Sequence, residues 1–187
     1  MHPSSAIDTL TTRVSCNLLE GPGPDDDQIN VILRAATRAC DHRALQPWRY
    51  LLIRGEAQDR FGRLMANIYF QHQGLDETSP EWRKMHQKAF RAPLIIAVIV
   101  HLSDDEKVPH IEQEYSAAAS AQMIMCAAHA IGLGAIWRSG SIMFHPDMHR
   151  GLDLSHNEKL VGFIYVGQPK IVKPVPEVDV SRFVREF

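Results

Sequence analysis

Apolar residues recur at two spacings along the chain, and the alternation between them predicts its elements. Ile29, Ile32, Leu33 and Ala36 stand three and four apart, the stripe of a helix buried on one face. Phe61, Leu64, Met65, Ile68 and Tyr69 repeat that interval and predict a helix over 56–70. Ile7 and Leu10 mark a short helix over 5–12, Pro80 begins another, and 146–151 forms a third. Residues 111–131 read as one long helix, Ala-rich and nearly apolar from Ala117, with Gly132 and Gly134 as its stop. A helix this apolar belongs at the centre of the structure or in a subunit interface. Asp25, Asp26 and Asp27, after the turn-rich GPGP, cap the second helix and place negative charge at its first turn.

The strand pattern is as clear. WRYLLIR over 48–54 predicts one strand, and the continuous β-branched run over 94–102 predicts another covered on both faces. Residues 135–138 form a short strand and 159–167 the last one. The segment 13–24 and the polar stretch 71–79 carry no period, and 168–187, with three prolines, predicts an extended arm. Strands interspersed with helices give an α/β or α+β class. A chain of 187 residues fits one domain over 1–187, large enough for a core without staples.

Composition narrows the function. Lys and Arg total 20 against 22 Asp and Glu, a net charge of −2 that excludes a general nucleic-acid binder and favours no membrane surface. The longest apolar run, over 93–100, is too short to span a bilayer, and the first ten residues lack a secretory leader pattern. Three cysteines without CxxC spacing fit a reducing compartment, so the expected location is cytoplasmic.

Several clusters carry candidate chemistry. Arg13 and Ser15 can both reach one phosphate across Val14, although an exposed arginine and a turn serine suit the pair alone better. Arg38 and His42 close the second helix, where the dipole favours cations, yet the loop runs on through Gln46, Pro47 and Trp48; a binding role and a structural one stand even. Trp137, Arg138 and Ser139 present an aromatic face, a planar cation and a hydroxyl at a strand end, which suits a flat heteroaromatic ligand as well as it suits core packing. The GLG at 132–134 ends a helix instead of opening one and is no dinucleotide fingerprint. His145 and His149 fit surface histidines better than a metal pair, and no metal site is expected. Glu112 and Glu114 read as first-turn acids of the long helix, or as partners for an arginine across an interface. No catalytic triad order, P-loop or HExxH occurs.

RVS (13–15), ILRAATRACDHRALQPW (32–48), FRAPLIIAVIV (90–100), KVPHIEQEYSAA (107–118), GLGAIWRSG (132–140) and KLVGFIYVGQP (159–169) together resemble the nitroreductase family of FMN-dependent oxidoreductases, in its short YdjA-like bacterial branch. The resemblance spans nearly the whole chain. It implies an α+β fold, a three-layer α/β/α sandwich with a mainly antiparallel central sheet, forming an intertwined homodimer with FMN sites at the interface. It implies hydride passed from NADH or NADPH to FMN, then to a small-molecule acceptor such as a nitroaromatic or quinone, in a ping-pong cycle. On it, Arg13, Val14 and Ser15 hold the FMN phosphate and ribityl chain, Arg38 and His42 reach the partner's flavin, and Trp137, Arg138 and Ser139 lie beside the isoalloxazine ring. Ala127, Ala128, His129, Ala130, Ile131 and Gly132 match a nicotinamide-dinucleotide segment. Val14 replaces a family arginine, and the tail lacks the family's Lys-x-Arg. Two alternatives stay open: a flavin- or nucleotide-binding protein without turnover, and an FMN enzyme of another reductive chemistry.

Overall fold

The computed structural model describes residues 5–187; the first four residues of the expected domain lie outside the described residues. The elements follow one another as α1 (Ala6–Thr12), β1 (Leu19–Glu20), α2 (Asp26–Ala36), β2 (Trp48–Arg54), α3 (Glu56–Phe70), α4 (Pro80–His86), β3 (Leu94–His101), α5 (His110–Ala130), β4 (Gly134–Arg138), α6 (Pro146–Gly151) and β5 (Glu158–Pro169). Single 3-10 turns stand in the connections at His42–Ala44, Gln87–Phe90 and Ser141–Phe144, and one more, Val180–Phe183, in the tail after β5. Asp25 caps α2 in a full capping box with Gln28.

The sheet is antiparallel. β3 pairs with β2 on one side and β5 on the other, and β5 takes β4 along its far half and β1 at its end. The apolar run of β3 is buried on both faces as expected, because alternate residues enter two different cores. Ile95, Ala97 and Ile99 face α3, α4 and α6 through Phe61, Met85 and Met148, together with Phe163 and Tyr165 of β5. Leu94, Ile96 and Val98 face α2 and α5 through Ile32, Ala121 and Ile124, together with Ile164 and Val166. Helices on both faces of one antiparallel sheet make the three-layer α+β sandwich that the family resemblance implies. Fully buried Ile96, Ile124 and Ile164 each contribute roughly 1.5–3 kcal/mol of transfer free energy.

Three expectations need correction. The segment 13–24 contains β1, a two-residue strand with no period of its own that exists because Leu19 pairs with Pro169. β5 runs two residues into the predicted arm, so the extended, exposed part is 170–187. His145 and His149 are half-buried and structural: His145 Nδ1 accepts the Asp147 N–H at 3.1 Å to cap α6, and His149 Nε2 lies 3.1 Å from the Met143 carbonyl oxygen. Among the described residues no helix is long and apolar enough to cross a membrane, and no group of three His, Cys, Asp or Glu side chains is placed to hold a metal.

Candidate functional site

Strand β4 carries a cluster at each end. At its start, Ser15 forms an isolated parallel bridge with Ala135, and the Cys16 N–H donates to the Ala135 carbonyl at 3.0 Å. Gly134 permits this approach, because a Cβ there would lie 2.7 Å from Leu19 Cδ2 and 3.1 Å from Cys16 Sγ. The 13–15 segment is thereby laid beside β4, and Thr12 Oγ1 sits 2.9 Å from His129 Nε2 in the last turn of α5. Arg13 is half-buried, and its Nη1 is enclosed with no hydrogen-bond partner. Val14 is half-buried beside it and carries no charge.

At the other end of β4, about 10 Å from Ala135 by strand rise, Trp137, Arg138 and Ser139 line a cavity of ≈ 460 Å³. The Trp137 indole lies over Gly162 of β5, where a Cβ would stand 2.8 Å from Trp137 Cδ1. Arg138 lies over the Tyr165 ring, its guanidinium carbon 5.6 Å from the centroid, and its Nε is buried without a partner. Lys88 and Arg91 join it in the cavity wall, and no lining residue is an acid. The cations feel one another. Burial, then Arg91, lowers the Arg138 pKa, and burial, then Arg91, Lys84 and Arg138, lowers that of Lys88. Burial pushes the Tyr165 phenol up to about 12, against the opposing charges of Arg138 and Arg91.

Lys88 and Arg91 were not among the residues the sequence pattern marked. Their signal was two basic residues three apart, immediately before the β3 run, but only the fold shows that they face Arg138. Gln58 Nε2 anchors their segment from α3, donating to the carbonyls of Ala89 and Ala92 at 2.8 and 2.7 Å. A buried donor group without an acceptor costs of order 1–3 kcal/mol. Two such arginines, one beside the start of β4 and one at its end, can each donate to an anionic or acceptor-rich ligand.

Arg38 and His42 stand elsewhere. α2 stops at Ala36, earlier than expected, with Thr37 at the cap and its Oγ1 donating to the Arg34 carbonyl at 2.9 Å; Arg38 follows, exposed, in the loop. His42 opens a 3-10 turn in which Arg43 (φ 61) and Ala44 (φ 54) hold left-handed backbone, as does Gln46 (φ 50) in the loop after it, a strain of order 1 kcal/mol each. The loop is fixed by Asp41 Oδ2 accepting the Gln46 N–H at 2.6 Å and by His42 Nδ1 pairing with Glu112 Oε2 at 2.7 Å. Glu112 thus pairs within its own chain, as Glu114 does with Lys159 at 2.8 Å. Glu112 and His129 lie at opposite ends of α5, about 25 Å apart by helix rise, so His42 is far from Arg13. Of the 127–132 segment, Ala127, Ala128 and Ile131 pack into the α2–α5 core. Ala130 is exposed, and Gly132 turns the chain with φ +83.

A sequence model of the nitroreductase family matches residues 10–168. The protein of Escherichia coli K12 provisionally named NAD(P)H nitroreductase YdjA is 37% identical over 166 residues, covering 89% of each chain. A nitroreductase-like family protein from Bacillus cereus superposes with a TM-score of 0.84 at 19% identity, covering 100% of this chain and 98% of that one. The FMN- and NADPH-dependent nitroreductase NfnB of Sphigopyxis sp. strain HMH superposes with a TM-score of 0.77 at 16% identity, covering 98% and 99%.

Proposed function

Because the chain belongs to the nitroreductase family, we propose that it is a cytoplasmic, homodimeric FMN-dependent oxidoreductase drawing hydride from NADH or NADPH. Its acceptor is a nitroaromatic, a quinone or a similar small molecule. The observation that carries the reading is the pair of buried, unpartnered guanidinium nitrogens, Arg13 Nη1 and Arg138 Nε, at the two ends of β4. A mononucleotide of a heteroaromatic ring supplies what each lacks: phosphate oxygens at one end and ring acceptors at the other.

The residues present fit FMN on that ground. Arg13 and Ser15 would hold the phosphate, and Trp137, Arg138, Ser139, Lys88 and Arg91 would surround the ring. When bound, FMN supplies the redox chemistry, accepting hydride from the nicotinamide and releasing it to the second substrate. The protein supplies position and field. The three cations put positive potential on the cavity wall and favour a ligand that is, or becomes, negatively charged there. Tyr165, kept protonated by its burial, adds no opposing charge. The half-buried Trp137 indole, seated on Gly162, offers a flat apolar face to a ring. No side chain has to act as general acid or base for hydride transfer, in keeping with a cavity lined by cations, aromatics and hydroxyls.

Two features support a homodimer. The 170–187 arm leaves the body fully exposed and carries Ile171, Val172, Val175, Val178, Phe183 and Val184 into solvent, a surface that a second copy would cover. His42 and Arg13 also lie too far apart to meet on one phosphate and ring, whereas two copies can bring His42 and Arg38 of one chain to the cofactor held by the other. Nicotinamide donor and acceptor would then use one cavity in turn. Initial rates measured against both substrates should give parallel double-reciprocal lines, and intersecting lines would overturn the shared-cavity reading. Light scattering should return twice the chain mass; a monomer that retains full activity would overturn the two-chain site.

A further inference from the structure

His129 has no part in the reading above beyond its place in the 127–132 segment, yet it stands at the Arg13 end of β4. We propose that His129 is a third ligand of the anion held by Arg13 and Ser15, and that binding of the cofactor phosphate drives a proton from solvent onto its Nδ1. The proposal rests on the assignment of Arg13 and Ser15 to the phosphate.

The hydrogen bonds fix the tautomer. The Thr12 hydroxyl has one proton, and Oγ1 donates it to the Asp8 carbonyl oxygen at 2.6 Å. Toward His129 Nε2, 2.9 Å away, Oγ1 is therefore an acceptor, and the imidazole carries its hydrogen on Nε2. Nδ1 is left as the nitrogen that titrates. Burial, with the Arg13 charge added, holds the imidazole below its ordinary 6.5, so the ring is neutral at neutral pH while no anion is bound. The amino-terminal charge adds to that of Arg13, and the ionisable residues one turn away along the two helices are Asp8, before Thr12 on α1, and the buried Cys126 thiol, before His129 on α5.

A phosphate monoester brings a charge near −2. Within 13–15 only Arg13 is a cation, since Val14 separates it from Ser15. The second negative charge reverses the field at His129: a bound dianion offsets both the burial that holds the ring neutral and the added repulsion from Arg13. Protonated at Nδ1, His129 gains a donor for the phosphate while Nε2–H stays on Thr12. Cofactor capture and proton uptake become one event.

The test is equilibrium binding of FMN to flavin-free protein, followed by flavin fluorescence between about pH 6 and about pH 8, with riboflavin as the phosphate-free probe. Wild type, His129→Gln and Arg13→Ala are compared. Glutamine keeps a donor to Thr12 and cannot titrate. Wild type should tighten on FMN toward acid pH by about tenfold for each unit by which the His129 pKa rises on binding. His129→Gln should lose that excess over the phosphate's own titration and leave riboflavin affinity unchanged. Calorimetry of wild type in two buffers of different ionisation enthalpy should show proton uptake with FMN and none with riboflavin, a readout independent of any variant's folding. Identical pH profiles for wild type and His129→Gln, with Arg13→Ala weakening FMN but not riboflavin, would overturn the role of His129 and leave the phosphate assignment standing. Unchanged FMN affinity in Arg13→Ala would overturn both.

Discussion

Replacing Arg138 by methionine should raise the stability of the flavin-free protein while weakening flavin binding, a split that no purely structural role for Arg138 produces. The free protein bears two costs at this residue. Its Nε is buried without an acceptor, for which about 1 kcal/mol is the appropriate low-end figure on a half-buried side chain. Its charge also faces Arg91 and Lys88 with no acid in the cavity wall. Against this, the contact with the Tyr165 ring at 5.6 Å contributes about 0.5–1 kcal/mol. Methionine keeps the apolar stem and removes the charge, so the net change is about 0–1 kcal/mol of added stability, a melting shift of at most about 4 °C. Loss of a charge-assisted contact to the ligand should cost about 1.5–3 kcal/mol, a ten- to hundredfold weaker flavin complex. Thermal unfolding with and without FMN, together with flavin titration, measures both halves. A variant that is destabilised without flavin and binds it as tightly as wild type would refute the reasoning.

Other substitutions probe the supports of the same cavity. Gly162→Ala would drive a Cβ into the Trp137 indole, which cannot move cheaply; it should destabilise the fold by about 1–3 kcal/mol and shift tryptophan emission as the ring leaves its seat. Gln58→Leu would leave the Ala89 and Ala92 carbonyls unpaired, costing about 1–3 kcal/mol in chemical denaturation and loosening flavin binding through Lys88 and Arg91. The Asp59 carboxyl is held below its ordinary 3.8 chiefly by the Arg63 hydrogen bond and then by His86. A carboxyl depressed on folding contributes stability that is fully present above 3.8 and is lost as pH falls through its lower folded value. Asp59→Asn should therefore flatten the acid limb of the melting profile, so that its deficit against wild type at neutral pH shrinks as pH falls through that lower value.

The helices and long strands were legible because each carries its own period. α3 and α6 have the predicted bounds, and β3 is the doubly covered strand that its unbroken apolar run announced. What escaped is held by distant partners. β1 has no period and forms only against Pro169, and the left-handed backbone at Arg43, Ala44 and Gln46 depends on Asp41 and Glu112. The candidate site divides the same way. Trp137, Arg138 and Ser139 could be picked out at a strand end because aromatic, cation and hydroxyl stand adjacent in the chain. Lys88 and Arg91 could not, since they reach Arg138 through the packing of the turn after α4. The family resemblance groups Arg13 and Ser15 with Trp137, Arg138 and Ser139 on one cofactor, and the Ser15–Ala135 bridge, which no period announces, lays the 13–15 segment beside β4. That both arginines carry an unpartnered buried nitrogen is a property of the folded chain alone.

The most direct test of the central claim is the absorbance spectrum of the purified protein, supplemented with FMN and titrated without oxygen, first with NADH and then with NADPH. The account predicts protein-bound flavin bands that bleach with a nicotinamide donor and return when a quinone or nitroaromatic is added. A protein that takes up no FMN would contradict the Arg13 and Arg138 site, and bound flavin that stays oxidised with both donors would contradict the oxidoreductase.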